Sequence, residues 1–206
     1  MIVVIDYGMG NVGSIANMLK KVGAKDVVIT NNISDLEKAH KIILPGVGSY
    51  DMGMEMLNKY DLINSLNRHV LVEKKPILGI CLGMQMLGMH SEEGSSKGLG
   101  YIDFENVKFN VSQIGLRVPH MGWNYVHIYN KESKLVKGLE EETRFYFVHS
   151  YHAVCKNRED VLMTCEYGGT VTAAVQHQNI YGTQFHPEKS HKFGMQIMKN
   201  FVEDCL

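Results

Sequence analysis

The feature that most constrains the fold is an alternation, over the first 90 residues, of short apolar runs with segments of helical hydrophobic period. Parallel strands joined by helices give this alternation, because each strand is buried on both faces while each helix buries one stripe. The sequence therefore predicts an α/β fold with a central, mostly parallel sheet flanked by helices. The predicted strands are Ile2 to Ile5, Val27 to Ile29, Lys41 to Leu44 and Pro76 to Ile80, and the predicted helices cover Val12 to Val22, Met52 to Leu66 and Leu82 to Met89.

The second half of the chain has a different pattern. Residues 91–98 are polar and rich in glycine and serine, which predicts a mobile surface loop. From about residue 104 short strand-like runs follow one another, which predicts additional antiparallel strands. Because there is no internal repeat and no Pro-rich linker, we expect one domain over residues 1–206. The predicted strands are Val107 to Phe109, Arg144 to Val148, His152 to Cys155, Val161 to Tyr167, Val171 to Gln176 and Ile180 to Phe185, and a last helix follows Phe193 to Val202.

The composition excludes several classes of function. The 206-residue chain is 45% hydrophobic with a formal net charge of -1, so it has no basic excess for nucleic-acid or membrane binding. No apolar run reaches the roughly 18 residues of a transmembrane helix, and the N-terminal run is too short for a signal peptide. Four cysteines without CxxC spacing fit a reduced, cytoplasmic protein. We expect no cofactor and no metal, since His149 and His152 have no third ligand near them in the sequence.

The strongest local motif is Gly79-Ile80-Cys81-Leu82-Gly83, between a predicted strand and a predicted helix. It has the G-x-nucleophile-x-G pattern of a nucleophile elbow, in which flanking glycines permit a sharp, strained turn that exposes the nucleophile. The helix N-terminus favours a thiolate at Cys81, and the Leu82 amide would point at an oxyanion. Taken alone, the pentapeptide also fits a buried cysteine beside packing glycines.

The second motif, Gln184 to Glu188, contains a candidate base and an orienting group. His186 and Glu188 are two positions apart, and Pro187 disfavours helical geometry at His186. We therefore expect an extended segment, in which both side chains fall on one side and the carboxylate can orient the imidazole. The pair should lie at a strand end, where doubly wound sheets place their sites. Taken alone, the tripeptide also fits a surface turn.

The third motif, Pro45 to Gly48, follows another predicted parallel strand. Glycines there permit unusual backbone angles and a close approach of backbone amides to a ligand. An amide of Val47 or Gly48 can supply a second oxyanion donor. Gly46 and Gly48 also give a flexible switch, so we expect the oxyanion loop not to be pre-formed. Taken alone, the motif fits a tight strand-to-helix turn.

In this order the three motifs resemble those of the class I, triad-type glutamine amidotransferases, and the resemblance covers essentially the whole chain. It implies a flavodoxin-like fold and the hydrolysis of L-glutamine to glutamate and ammonia. His186, oriented by Glu188, would deprotonate Cys81, whose thiolate attacks the side-chain amide to give a glutamyl thioester that water hydrolyses. The implied oxyanion donors are Leu82, Val47 and Gly48, and the implied substrate-binding residues are Gly46, Gln85, His149, Ser150 and Tyr151.

Four segments resemble a narrower family, the glutaminase subunits of imidazole glycerol phosphate synthase in histidine biosynthesis. In that family ammonia passes through a tunnel to a (β/α)8-barrel cyclase subunit, and the heterodimer partner's ligand switches the glutaminase on. The resemblance implies a partner interface at Asn11, His120, Met121, Trp123 and Lys189. The four segments are Asp6 to Asn11, Pro119 to Asn124, Phe145 to Tyr151 and Phe185 to Ser190.

Other functions stay open from the sequence. The segment Val12 to Leu19 is more similar to paralogues found beside sugar amidotransferases of surface-polysaccharide synthesis, which would be an alternative partner. A cysteine peptidase or other hydrolase is a second alternative, against which Gln85 and the Pro45 to Gly48 segment suit a small amide substrate. A silent regulatory module is a third, although such a module would not require Cys81, His186 and Glu188 together.

Overall fold

The structure, a computed structural model, describes residues 1–111 and 115–205. Strands and helices alternate through the first half of the chain, as the apolar runs predict. The elements of this half are β1 (Ile2–Ile5), α1 (Val12–Lys21), β2 (Val27–Thr30), α2 (Ile33–Lys38), β3 (Lys41–Leu44), α3 (Tyr50–Lys59), α4 (Leu62–Leu66), β4 (Ile77–Ile80) and α5 (Leu82–Met86).

Strands dominate the second half, and one helix ends it. The elements are β5 (His90–Ser91), β6 (Phe104–Lys108), β7 (His120–Ile128), β8 (Arg144–His149), β9 (Tyr151–Cys155), β10 (Val161–Glu166), β11 (Thr170–His177), β12 (Ile180–Thr183) and α6 (His191–Glu203).

The main sheet has the order β2-β1-β3-β4-β12-β11-β10-β7-β8. Its first five strands are parallel, and β12 pairs with β4 so that Thr183 lies opposite Ile80. The strands from β11 to β8 pair antiparallel. A second, three-stranded sheet has the order β5-β6-β9. The predicted α/β class, with a parallel sheet and added antiparallel strands, is confirmed. The adjacent strands β4 and β12 bring the cysteine and histidine motifs together at their carboxyl ends.

The two faces of the parallel strands contribute to two separate hydrophobic clusters. Along β1, Val4 packs with α1 and α6, whereas Val3 and Ile5 pack with the helices from α2 to α5. Burial on both faces explains why these strands are continuous apolar runs. Because helices cover both faces of the sheet, the site lies at the carboxyl ends of the strands, where the cysteine and histidine motifs are found.

Two predicted helices have the wrong bounds, and other elements were not predicted. The segment Met52 to Leu66 forms two helices, because Asp61 adopts a left-handed backbone (φ 53) that ends α3. The predicted helix beginning at Leu82 ends at Met86 instead of Met89. Helix α2 and strand β7 were not predicted at all.

The polar segment 91–98 is held in place by hydrogen bonds. The backbone amides of Ser95 and Ser96 donate to the Asp51 carboxylate, at 3.0 Å and 2.8 Å to Oδ1. Asp51 lies in the first turn of α3. This attachment places the segment beside the carboxyl ends of the parallel strands. Within residues 1–111 and 115–205, the helices are all too short or too polar to cross a membrane.

Candidate active site

Cys81 lies at a sharp turn between β4 and α5. Its backbone is in a left-handed region (φ 54, ψ −110) that costs free energy in a residue other than glycine. A Cβ atom at Gly79 would lie 2.7 Å from the Gly83 carbonyl oxygen, and one at Gly83 would lie 1.9 Å from that of Leu44. Glycine is therefore required on both sides of the cysteine by close packing.

His186 and Glu188 form a buried pair. The His186 Nδ1 atom lies 2.8 Å from Glu188 Oε1, and each side chain is 2% exposed. The expected extended segment is found only at His186, because Pro187–Lys189 form a 3₁₀ turn that brings the carboxylate back to the imidazole. Burial disfavours the charged ring, but interactions with Cys81 and Glu188 outweigh it and raise the pKa of His186 to about 9.

The second nitrogen of His186 is available for chemistry. Its Nε2 atom is buried and has no hydrogen-bond partner among residues 1–111 and 115–205. Because Nδ1 faces Glu188, Nε2 is the ring nitrogen that is not occupied by the carboxylate. The structure thus brings together the three predicted catalytic residues, Cys81, His186 and Glu188.

Gln184 also reaches the cysteine, and the sequence interpretation missed it. Its Nε2 atom donates to Cys81 Sγ at 3.8 Å, while its Oε1 accepts from Gln85 Nε2 at 3.1 Å. The side chain is fully buried. A signal was present, since Gln184 lies two positions before His186 and therefore on the same side of an extended chain.

The Pro45 to Gly48 segment lies against the cysteine turn. A Cβ atom at Gly46 would lie 2.8 Å from the Gly83 amide nitrogen, so this glycine packs beneath the turn. Gly48 has a left-handed backbone (φ +105). The Tyr7 hydroxyl donates to the Pro45 carbonyl at 2.5 Å, and burial, with a smaller contribution from Cys81, raises the pKa of Tyr7 above its usual range. These contacts fix where the loop leaves β3.

A pocket of about 520 Å³ opens above Cys81. Four of the five predicted substrate-binding residues line this pocket. The exception is Gly46, which packs beneath the cysteine turn. A pocket of about 580 Å³ between β7 and residues 131–141 lies apart from the three predicted catalytic residues. The pocket above Cys81 is lined by Val47, Gly48, Cys81, Leu82, Gln85, Glu93, Pro119, Val148, His149, Ser150, Tyr151, His186 and Lys189.

Glu93 is a pocket residue that the sequence interpretation missed. It comes from the segment 91–98, and its Oε2 atom accepts a hydrogen bond from the Tyr50 amide at 3.1 Å. Burial and nearby Asp51 raise the pKa of Glu93. It is the one acidic residue among those that line this pocket. The attachment of the segment to Asp51 is a tertiary contact that local sequence does not reveal.

His149 lines the pocket, but both of its ring nitrogens bond within the protein. Its Nδ1 atom lies 2.7 Å from the Tyr151 carbonyl oxygen, and its Nε2 atom lies 2.9 Å from His120 Nδ1. The His120 ring is stacked between Phe147 and Tyr167, at centroid distances of 4.8 Å and 4.0 Å. His149 therefore supports the pocket wall instead of presenting a free nitrogen to a substrate.

The predicted interface residues differ in exposure. Met121 and Trp123 are 66% and 44% exposed, and Asn11 and Lys189 are also exposed. His120 is only 3% exposed, so its side chain cannot form a contact surface for a partner. The reason is that β7 alternates, and His120 points inward where its neighbours point outward.

Residues 1–111 and 115–205 contain no group of three or more histidine, cysteine or acidic side chains arranged to hold a metal ion.

Comparison with known proteins identifies the family. The family described as "Glutamine amidotransferase class-I" matches residues 3–205. The chain belongs to the class I glutamine amidotransferases, as the three motifs predicted. Solved structures share the fold at low identity: PurLQS from Thermotoga maritima (TM-score 0.74, 17% identity, 98% of this chain and 96% of that one) and a glutamine amidotransferase from the same organism (TM-score 0.65, 17% identity, 98% and 82%).

Within this family, the chain is similar over nearly all of its length to relatives that are named as synthase subunits. It is 55% identical to "Imidazole glycerol phosphate synthase subunit HisH 2" of Methanococcus maripaludis over the full length of both chains. It is 53% identical to the protein of the same name from Pseudomonas aeruginosa, over 98% of this chain and 99% of that one. A HisH subunit from Leptospira borgpetersenii is 45% identical over 98% and 99%.

Proposed function

We propose that this protein is the glutaminase subunit of an imidazole glycerol phosphate synthase. It hydrolyses L-glutamine to glutamate and ammonia, and it delivers the ammonia to a (β/α)8-barrel cyclase subunit in histidine biosynthesis. Residues 1–206 act as one domain in the cytoplasm. The observation that carries the proposal is the buried Nε2 atom of His186, which has no partner among the described residues and is backed by Glu188 beside Cys81.

The proposed reaction begins with proton transfer from the Cys81 thiol to His186 Nε2. The sulfur attacks the side-chain carbonyl carbon of glutamine, and the negative charge on oxygen is stabilised by the Leu82 amide and an amide of the Val47–Gly48 segment. His186 then returns its proton to the departing nitrogen, so ammonia leaves and a thioester remains. A water molecule, deprotonated by His186, attacks the thioester, and glutamate leaves as the thiol is restored.

Glu93 is the group that we assign to the ammonium of glutamine. A free amino acid carries an α-ammonium and an α-carboxylate, and a pocket that selects it over a peptide must recognise these charges. Glu93 is the one acidic residue that lines the pocket, and burial, with a smaller contribution from Asp51, raises its pKa, so a cation beside the carboxylate would offset the cost of its charge. A bound ammonium would supply that cation and would lower the pKa of Glu93.

The outer face of β7 is the proposed docking site for the cyclase subunit. The HisH relatives are named as subunits of a synthase, so a second subunit accompanies them. Met121, Trp123 and Tyr125 are exposed there on alternate positions of one strand, and Lys189 lies at the pocket rim. An exposed apolar set beside a catalytic pocket is typical of a subunit contact.

A second candidate acceptor is a sugar amidotransferase of surface-polysaccharide synthesis. The segment Val12 to Leu19 favours it. The glutaminase chemistry would be the same, and only the partner would differ.

Glutamate release with each candidate partner distinguishes the two acceptors. The purified chain is mixed with the cyclase subunit of the same organism or with a sugar amidotransferase. We expect activation by the cyclase subunit, and a further increase when the cyclase holds its own ligand. Activation by the sugar amidotransferase alone would contradict the assignment to histidine biosynthesis while retaining the glutaminase.

A further inference from the structure

A buried chain of hydrogen bonds joins strand β7 to the cysteine. We call it the relay, and it consists of the side chains of Asn124, His120, His149, Gln85 and Gln184, with the Tyr151 carbonyl between the second histidine and the first glutamine. Its members come from β7, β8, α5 and the segment after β12. The reaction proposed above does not use the two histidines.

The outer half of the relay has only one consistent arrangement of protons. Asn124 Nδ2 lies 2.9 Å from the Glu166 carbonyl oxygen, which can only accept, so this atom is the amide nitrogen. The same nitrogen lies 3.2 Å from His120 Nε2, which must therefore accept. His120 is then neutral with its proton on Nδ1, and Nδ1 donates to His149 Nε2 at 2.9 Å. His149 is neutral in turn, and its Nδ1 donates to the Tyr151 carbonyl at 2.7 Å.

The inner half is fixed by the same carbonyl. Gln85 Nε2 lies 3.1 Å from the Tyr151 carbonyl oxygen, so this atom is the amide nitrogen, and its other N–H donates to Gln184 Oε1 at 3.1 Å. The Gln184 amide nitrogen consequently points at Cys81 Sγ, 3.8 Å away. The Tyr151 carbonyl thus accepts from His149 on one side and from Gln85 on the other, so the direction of donation reverses at this carbonyl, which joins the two halves of the relay.

Burial supports the neutral histidines. His120 and His149 are 3% and 6% exposed, and burial lowers the pKa of His120 to about 4 and that of His149 to about 3. The stacking of His120 between Phe147 and Tyr167 holds its ring plane. Two neutral rings joined to each other form a rigid connection, because a proton on either acceptor nitrogen would break a hydrogen bond.

The same strand carries the relay and the exposed apolar set. Along β7, His120 and Asn124 face inward, whereas Met121, Trp123 and Tyr125 face outward. A displacement of β7 by a molecule bound to its outer face therefore moves the first two members of the relay directly.

We propose that His120 and His149 are positioning residues that couple the outer face of β7 to the orientation of the Gln184 amide on the Cys81 thiol. This proposal rests on the proposed role of Cys81 as the nucleophile. The amide stabilises negative charge on sulfur only while the relay holds it in place, so a partner on β7 tunes the reactivity of the cysteine without touching it.

The first test needs no substitution. In the wild-type protein labelled with ¹⁵N-histidine, NMR measures which ring nitrogen carries the proton. We expect two histidines that remain neutral at pH 6 in the Nδ1–H form, the less common tautomer of free histidine, and that lose this signature in His120→Phe and His149→Phe. A charged ring or an Nε2–H form at either position would overturn the proposal.

The second test measures the rate at which iodoacetamide alkylates Cys81 at pH 7, followed by mass spectrometry of the Cys81 peptide. His120→Phe keeps the stacked ring but removes both hydrogen bonds, and we expect about a tenfold slower reaction, as for loss of a hydrogen bond to a charged group. Asn124→Val should act in the same direction with a smaller effect. The matched control is His152→Phe. The His152 ring packs on Phe109, as the His120 ring does, but has no hydrogen bond to the relay, so the alkylation rate of this variant should be unchanged.

An unchanged alkylation rate in folded His120→Phe and Asn124→Val would overturn the coupling. If His120→Phe does not fold, the half-buried Asn124→Val variant and the wild-type tautomers decide the question. Neither readout uses glutamine, so a protein without glutaminase activity that shows these tautomers and rates would refute the proposed function while leaving the relay intact.

Discussion

The His186 imidazole lies 2.8 Å from the Glu188 carboxylate because Pro187–Lys189 form a 3₁₀ turn that brings the carboxylate back to the ring. Both side chains are almost completely buried. The turn leaves Nδ1 hydrogen-bonded, whereas Nε2, on the side of Cys81, has no hydrogen-bond partner within residues 1–111 and 115–205. The orientation of the ring is thus set by a local turn, and the cysteine that it faces lies more than 100 positions away in the sequence.

The substitution Glu188→Gln should reduce glutaminase kcat by about 10³- to 10⁴-fold, because a neutral amide orients the imidazole less well and does not stabilise the imidazolium. The KM for glutamine should change little, since Glu188 does not line the pocket. Steady-state kinetics in the presence of the cyclase subunit measure both. In the control Glu203→Gln, an exposed carboxylate on α6 is changed and activity should be retained. Equal kcat values for the two variants would refute the role of Glu188.

Glu93→Gln should raise the KM for glutamine by about 10- to 100-fold with a smaller change in kcat, because it removes one charge-assisted contact to the substrate. The neighbouring substitution Glu92→Gln is the matched control, since the Glu92 carboxylate instead accepts from the Lys108 amide at 2.7 Å. A KM that rises equally in both variants would indicate a general disturbance of the segment and not loss of an ammonium contact.

Gly83→Ala and Gly13→Ala should have opposite effects on stability. A Cβ atom at Gly83 would lie 1.9 Å from a backbone oxygen, so the cysteine turn must move and the free energy of unfolding should fall by about 3 kcal/mol or more. Gly13 lies inside α1 with open space around it, and alanine there should add about 0.5–1 kcal/mol. Denaturant titration measures both values. A Gly83→Ala protein as stable as the wild type would contradict the packing of the turn.

Stability should fall in mild acid partly through the relay. His120 and His149 have pKa values lowered by burial to about 4 and about 3, whereas the unfolded chain protonates near pH 6.5. Stability from these groups is therefore present above pH 6.5 and decreases as the pH falls towards 4, by at most about 1.4 kcal/mol per pH unit for each group. Thermal unfolding between pH 7 and 4.5 should give a shallower loss for His120→Phe than for the exposed-histidine control on the same strand, His127→Gln. Parallel curves would contradict the neutral relay.

The sequence predicts the parallel half of the fold well, because β1, β3 and β4 are buried on both faces and so appear as unbroken apolar runs. Helix α2 was missed since only Leu36 among its residues is buried. The break at Asp61 was missed because a left-handed backbone at aspartate has no local signal that distinguishes it from a helical residue.

Strand β7 was missed for a different physical reason. Its polar residues His120 and Asn124 point inward, and its apolar residues Met121, Trp123 and Tyr125 point outward, which is the reverse of the usual alternation. The inward polar side chains hydrogen-bond to each other and to the rest of the relay. A partner on the outer face would cover the outward apolar side chains. The sequence pattern of β7 is therefore intelligible only with the tertiary structure.

Local motifs also explain how much of the site was found. Cys81, His186 and Glu188 lie in short segments whose chemistry is visible in the sequence, and the structure brings these segments together. Gln184 and Glu93 were missed because their roles depend on contacts with Gln85 and with the segment held by Asp51, which are far away in the chain. The roles of all five residues in catalysis remain predictions to be tested by substitution.

The most direct test of the central claim is glutamate release from L-glutamine by the wild-type chain, Cys81→Ala and Cys165→Ala, each mixed with the cyclase subunit. Cys165 is a buried cysteine of β10 outside the pocket. We predict full activity for the wild type, near-wild-type activity for folded Cys165→Ala, and a loss of at least about 10³-fold for Cys81→Ala, as for removal of a covalent nucleophile. Glutamate release that survives in Cys81→Ala would contradict the account.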